Sequence, residues 1–231
     1  TNAGDWVFAL SGDFDLDDAT DLARRYIGTL AGADSTEQYE DFQIDPPTTI
    51  VTREVRAGTG DKGSLTFDWN TPIPDPETNS VYADALTSVL NIRLTDHIRE
   101  ELGASYGPSA FVSISTEPDQ LVETYLNVTG DPTTLPEIST IVIADLESLR
   151  TDGPTPDEFD AAIAELTETY QYFNNQEIGD LLAKAANQPE MLTRFNSRSN
   201  VLADITQDAL HSFIIDVIPL DRYIEVRTVP A

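Results

Sequence analysis

Apolar residues recur at steps of three and four through Ala85, Leu86, Val89, Leu90, Leu94 and Ile98. That is the spacing of one buried helical face, and it predicts a long helix over roughly residues 77 to 102. Pro72, Pro74 and Pro76 break the chain before it. Gly103 suits the left-handed residue that closes a helix. Beyond this corner the period changes to two in FVSIS and LVETYLNV, so helix gives way to two strands, near 108–116 and 120–129, joined by a short acidic turn. Arg99 and Tyr106 stand on either side of the corner, placed to present a guanidinium and a phenol to one ligand.

Elsewhere the same two periods alternate. GDWVFALSG sets Trp6, Phe8 and Leu10 against Val7 and Ala9, a predicted strand. DLDDATDLARRYIGTL follows as a helix with Asp15 or Asp17 as its cap and Leu22, Tyr26 and Leu30 on one stripe. Asp13, Asp15 and Asp17 also resemble the start of a calcium loop. Such a loop needs Gly at its sixth position and Glu at its twelfth, where this chain has Asp18 and Arg24. Capping explains them better. Residues 31 to 48 are an acidic connection. TIVTREVRA and GSLTFDWN, parted by Gly58, Gly60 and Gly63, predict a hairpin; no Gly-Lys-Ser/Thr follows, so the glycines are no phosphate loop.

Leu135, Ile138, Val142, Leu146 and Leu149 predict another helix, and Phe159, Ile163, Leu166 and Tyr170 a further one entered through Pro154 and Pro156. The helical stretch then breaks at Asn174 and at Pro189. Thr206 caps a shorter helix, and DRYIEVRTVP closes the chain as a strand. The order predicts an α+β fold: a mostly antiparallel sheet of about six strands covered on one face by helices. With no flexible linker, residues 1–231 are expected to form one domain.

Charge and composition narrow the function classes. Forty-one acids against 13 bases give a net charge of −28, and Lys62 and Lys184 are the only lysines. That field repels nucleic acid and anionic lipid and favours cationic partners. A soluble surface from an acidic, lysine-poor proteome explains it better than substrate steering does. The absence of cysteine removes disulfides, thiol catalysis and thiolate zinc sites, and leaves bacterial cytoplasm and cell envelope both open. No apolar run approaches the ~20 residues of a membrane span, and residues 1–15 lack the basic-then-apolar order of a signal peptide. The chain begins almost at a strand, which leads us to expect native sequence upstream of Thr1.

IREELGASYG resembles the R-E-x-x-G-x-x-Y signature of the second, zinc-free domain of the pitrilysin/insulinase metallopeptidases. FALSGDFDLDDATDLARRYIGTL is similar to that family's opening strand and helix. LRTDGPTPDEFDAAIAEL resembles its L-r-x-x-G-x-T-x-x-E-L segment, and ITQDALHSFIIDVIPLDRYIEVRTVP its last helix and strand. The likeness covers essentially the whole chain. It implies a two-domain peptidase unit shaped like a clamshell, in which a homologous first domain holds zinc through H-x-x-E-H. The second domain would donate Arg99 and Tyr106, at the family's seven-residue separation, to an unfolded peptide substrate.

Chemistry supports such a pair. Peptide hydrolysis drives negative charge onto a carbonyl oxygen, which a cationic fork and a phenolic donor steady and orient. Taken alone, Arg99 would be expected only to favour a helix C-terminus and Tyr106 only to pack at a sheet edge. H-x-x-E-H is absent here, and His97 and His211 are the only histidines. HIREE places His97 with Glu101 on one face, at most two ligands where catalytic zinc takes three. No G-x-S-x-G is present, and the carboxylates are too many to single out a dyad. The chain is therefore expected to hold no metal itself, to hydrolyse nothing alone, and to work with a zinc-bearing half in the same gene product or on a partner subunit. The alternative is a non-catalytic assembly subunit of the same fold. An acidic calcium-binding module is a third class.

Overall fold

A computed structural model describes residues 2–33, 40, 42, 44–73, 76–102, 107–116 and 119–231, excepting the side chains of residues 76, 77 and 99–102. Its elements are α1 (Leu16–Tyr26), β1 (Ile50–Arg56), β2 (Gly63–Pro72), α2 (Pro76–Leu102), β3 (Gly107–Ser115), β4 (Leu121–Gly130), α3 (Leu135–Asp152), α4 (Pro156–Thr169), α5 (Asn175–Ala185), α6 (Glu190–Asp204), α7 (Gln207–Val217) and β5 (Tyr223–Val229). They fall into two compact units. One holds residues 1–42 and 171–196, the other residues 43–170 and 197–231.

The larger unit is built on a five-stranded sheet in the order β1-β5-β2-β4-β3. Every pairing is antiparallel except β1 with β5. The sheet is thus mixed and has five strands rather than about six. The predicted hairpin between β1 and β2 does not form. β5 lies between them, Ile50 to Arg56 pairing with Tyr223 to Val229 and Ser64 to Asp68 with Thr228 to Ile224. Residues 57–62 instead carry the chain past the end of β5, where the Ala57 N–H donates to the Val229 carbonyl. Local alternation specifies a strand, not its neighbour.

One sheet face is buried. Leu65, Phe67 and Trp69 of β2 and Val122, Leu126 and Val128 of β4 meet the apolar stripes of α2, α3 and α7. All five predicted residues of the α3 stripe are buried there. Trp69 stacks on Phe67 and leans against Tyr223, with ring centroids 5.8 and 5.3 Å apart, while its indole N–H donates to the Pro219 carbonyl at 2.9 Å. Thr71 bonds the Val217 carbonyl, so β2 is tied to the end of α7 by two side chains. Gly153, at φ 79°, closes α3 in the left-handed region that favours glycine. Thr155 then opens α4 with a reciprocal capping box to Glu158.

α2 does more than cover the core. The Asn91 amide donates to the Ala110 carbonyl at 3.0 Å and accepts from the Ala110 N–H at 2.8 Å. Thr87 Oγ1 accepts from the Val112 N–H at 2.9 Å. These side chains satisfy the outer groups of edge strand β3, which would otherwise invite another strand.

In the smaller unit, Asp15 caps α1 by accepting from the backbone N–H groups of Asp17 and Asp18, which settles the Asp13–Asp17 cluster as capping. The predicted strand at Trp6–Leu10 is not one. It joins no ladder, and Trp6, Val7, Phe8 and Leu10 are all exposed, so alternation there finds no sheet to pair with. Its tie is an Ala3 N–H to Ala31 carbonyl bond, with the Asn2 side chain accepting from Ala33. Phe173 and Phe195 meet edge to face at 5.5 Å, and a second capping box, Asn174 with Glu177, starts α5.

Candidate functional site: the open sheet face and the helix α2 corner

Arg99 belongs to the last turn of α2, four residues short of Gly103 and directly after buried Ile98. Its side chain lies outside the described set, as do the corner 103–106 and with it Tyr106. Leu94 and Ile98 anchor the helix in the core, and Gly107, next to Tyr106 in sequence, begins β3 in register with Thr129.

The sheet face turned away from the helices is a second candidate surface. Alternation that buries Phe67, Leu126 and Val112 sends their neighbours outward. Register then lines up Ile224, Asp68, Tyr125 and Phe111 as one row across β5, β2, β4 and β3. The adjoining row holds Asn70, Glu123 and Ser113. Directly paired side chains of an antiparallel ladder sit with Cβ atoms about 5 Å apart. Phe111 is 61% exposed and Tyr125 42%, a pair of large aromatic rings facing water. Burial pushes the Asp68 carboxyl above its ordinary range, and the Asn70 amide that donates to it only partly offsets this.

At one end of this face lies a cavity of about 490 Å³. Asn70, Pro72, Leu121 and Ile224 line it together with Asp45, Pro46, Pro47 and Asp119. Sequence reading missed this surface. Strand periodicity already shows that Phe111 and Tyr125 alternate with buried residues; only the register shows that they are neighbours.

Both histidines have structural partners. The exposed His97 ring pairs through Nδ1 with the buried carboxylate of Asp145, and His211 Nε2 bonds the Arg150 carbonyl at 2.8 Å. Among the described residues no three His, Asp or Glu side chains gather as a metal would need. Close by, Arg93 of α2 is a buried cation. Its Nε and Nη2 donate to both Glu158 oxygens at 2.6 Å, and Nη1 and Nη2 reach the carbonyls of Asp145 and Gly153. Burial works to raise the Glu158 pKa, but the Arg93 fork and the Thr155 N–H outweigh it and leave the carboxyl below its usual range. This pair joins α2 to α4 and orients the helix that carries Arg99.

A profile of the peptidase M16 inactive domain matches residues 2–166. No significant sequence match is found among curated proteins. Among solved structures, a peptidase M16 inactive domain from Pseudomonas fluorescens superimposes with a TM-score of 0.73 at 18% identity, over 95% of this chain and 52% of that one. A protease from Helicobacter pylori gives 0.74 at 15% identity, over 95% and 54%. The periplasmic protease PqqL from Escherichia coli gives 0.70 at 15%, over 95% and 25%. The chain therefore spans about half of two of these proteins and a quarter of the third, and the likeness is one of fold. Among the described residues no helix is long and apolar enough to cross a membrane.

Proposed function

This chain belongs to the peptidase M16 inactive-domain family, of the pitrilysin/insulinase kind, and from that premise we propose that it is the zinc-free half of a metalloendopeptidase. In this role residues 1–231 act as one half of a two-domain unit. They close a chamber over an unfolded peptide, and Arg99 and Tyr106 hold the peptide backbone. The zinc-bearing homologous half, in the same gene product or on a separate subunit, supplies the hydrolytic chemistry.

The observation that carries this is the family match over residues 2–166, which takes in Arg99, in the last turn of α2, and Tyr106, the residue before Gly107 of β3 in sequence. A guanidinium offers a fixed fork of donors and a phenol one more, suited to the carbonyl oxygens of an extended peptide. The lack of H-x-x-E-H is shared with the alternative, a purely structural subunit of the same fold. Mixing separates the two. Added to its zinc-bearing half, the chain is expected to switch on hydrolysis of an unfolded peptide that neither half cleaves alone. A zinc half that is fully active without it, or a mixture that stays inert, contradicts the proposal.

A further inference from the structure

Resting on the reading of the chain as a peptide-binding half, we propose that the row Asp68–Tyr125–Phe111, with Glu123 beside it, is a subsite for the lysine or arginine side chain of an extended basic peptide. Asp68 stands directly opposite Tyr125, Phe111 stands opposite Tyr125 on its other side, and Glu123 is two residues along β4 on the same face. Two carboxylates thus flank a phenol ring, with a second aromatic ring next to it.

Three observations point to a cation. The first is the pair of exposed rings. A row of large aromatics turned to water is unusual on a finished surface, and an aromatic face attracts an ammonium or guanidinium within about 6 Å of its centre. The second is charge. The adjoining cavity adds Asp45 and Asp119. The cation within the strands of this face is Arg53, at the outer strand β1, where its guanidinium bonds the Thr52 carbonyl. Arg222, just before β5, is paired with Asp221. The third is desolvation. Burial makes ionised Asp68 costly, and an incoming cation removes that cost.

The cavity walls of proline, leucine and isoleucine take the apolar neighbours of the basic residue. An extended occupant must be held by side chains at the β3 end, because Asn91 and Thr87 close that edge to strand addition. A second copy of the chain would bring a charge of −28 against a face already acidic, so a basic peptide is the complementary occupant.

The test is fluorescence anisotropy with a labelled, unstructured lysine-bearing peptide and the same peptide made with acetyl-lysine, titrated with the whole chain. The lysine peptide should bind about tenfold tighter, the combined worth of an exposed ion pair and a cation–π contact. Phe111→Ser and Glu123→Gln should each remove about three- to fivefold of that preference, read as the ratio of the two peptides' affinities. Both positions are exposed, and a circular dichroism melt confirms that the variants are folded. Equal binding of the two peptides, or a lysine preference that survives both substitutions, overturns the subsite. Peptides bound regardless of charge but lost in Arg99→Ala would sink the subsite and leave the general reading standing. A lysine preference lost in Glu123→Gln but indifferent to Arg99→Ala and Tyr106→Phe would sustain the subsite and sink the assigned pair. Light scattering that shows a dimer dissociated by Phe111→Ser assigns the face to a second copy, and also overturns the proposal.

Discussion

Arg93 sits six residues before Arg99 on the same helix, and its environment shows what a buried arginine in this fold is for. It is 6% exposed, its partner Glu158 14%, and each of the two donates or accepts further bonds from the backbone of the α3–α4 connection. Removing one member of such a pair leaves the other as an uncompensated buried charge. Arg93→Ala should therefore cost about 3–5 kcal/mol in urea unfolding, whereas an exposed arginine such as Arg24 should cost under about 1. The pH dependence has a definite sign. Glu158 titrates lower in the folded chain than in the unfolded one, so its contribution is complete above the ordinary glutamate range. It is lost as pH falls through the depressed folded value. In Arg93→Ala that acid-side slope should shrink, and a slope equal to the parent's would show that the pair does not matter.

At the level of elements, what was legible in the sequence was what is local. The α2 and α3 stripes, the Asp15 and Thr206 caps and the proline entry to α4 all follow from periodicity and capping chemistry, and each is found in place. Two readings failed for one shared reason. Whether TIVTREVRA pairs with GSLTFDWN depends on β5, which arrives more than a hundred residues later, and whether Trp6–Leu10 is a strand depends on a partner that alternation cannot name. The candidate site divides the same way. Arg99 and Tyr106 come from a motif and so were visible at once, while the Asp68–Tyr125–Phe111 row needs three registers that no single strand contains. The Asn91 contact with β3 is also non-local, and it carries its own prediction. Asn91→Ala strips partners from both the N–H and the carbonyl of Ala110, a loss of about 1–3 kcal/mol. Asn91→Ala should also raise the tendency to self-associate, since the edge of β3 is then open. Sedimentation at rising concentration would read this, and a variant as monomeric and stable as the parent would refute it.

The chain as a whole comprises a sheet-and-helix unit with a buried core and a smaller unit whose helix α1 buries none of its residues. The net charge of −28 describes how such a surface meets partners rather than how it folds. Function, on this account, depends on a half that is not present in the chain. The decisive quantity is the steady-state turnover of an unfolded peptide by the reassembled two-half enzyme carrying Arg99→Ala or Tyr106→Phe, with zinc content checked in each. Loss of a donor aimed at developing charge predicts kcat/KM reduced about 10²-fold for Arg99→Ala and less for Tyr106→Phe, at unchanged zinc. Turnover in both variants equal to that of the parent would contradict the account.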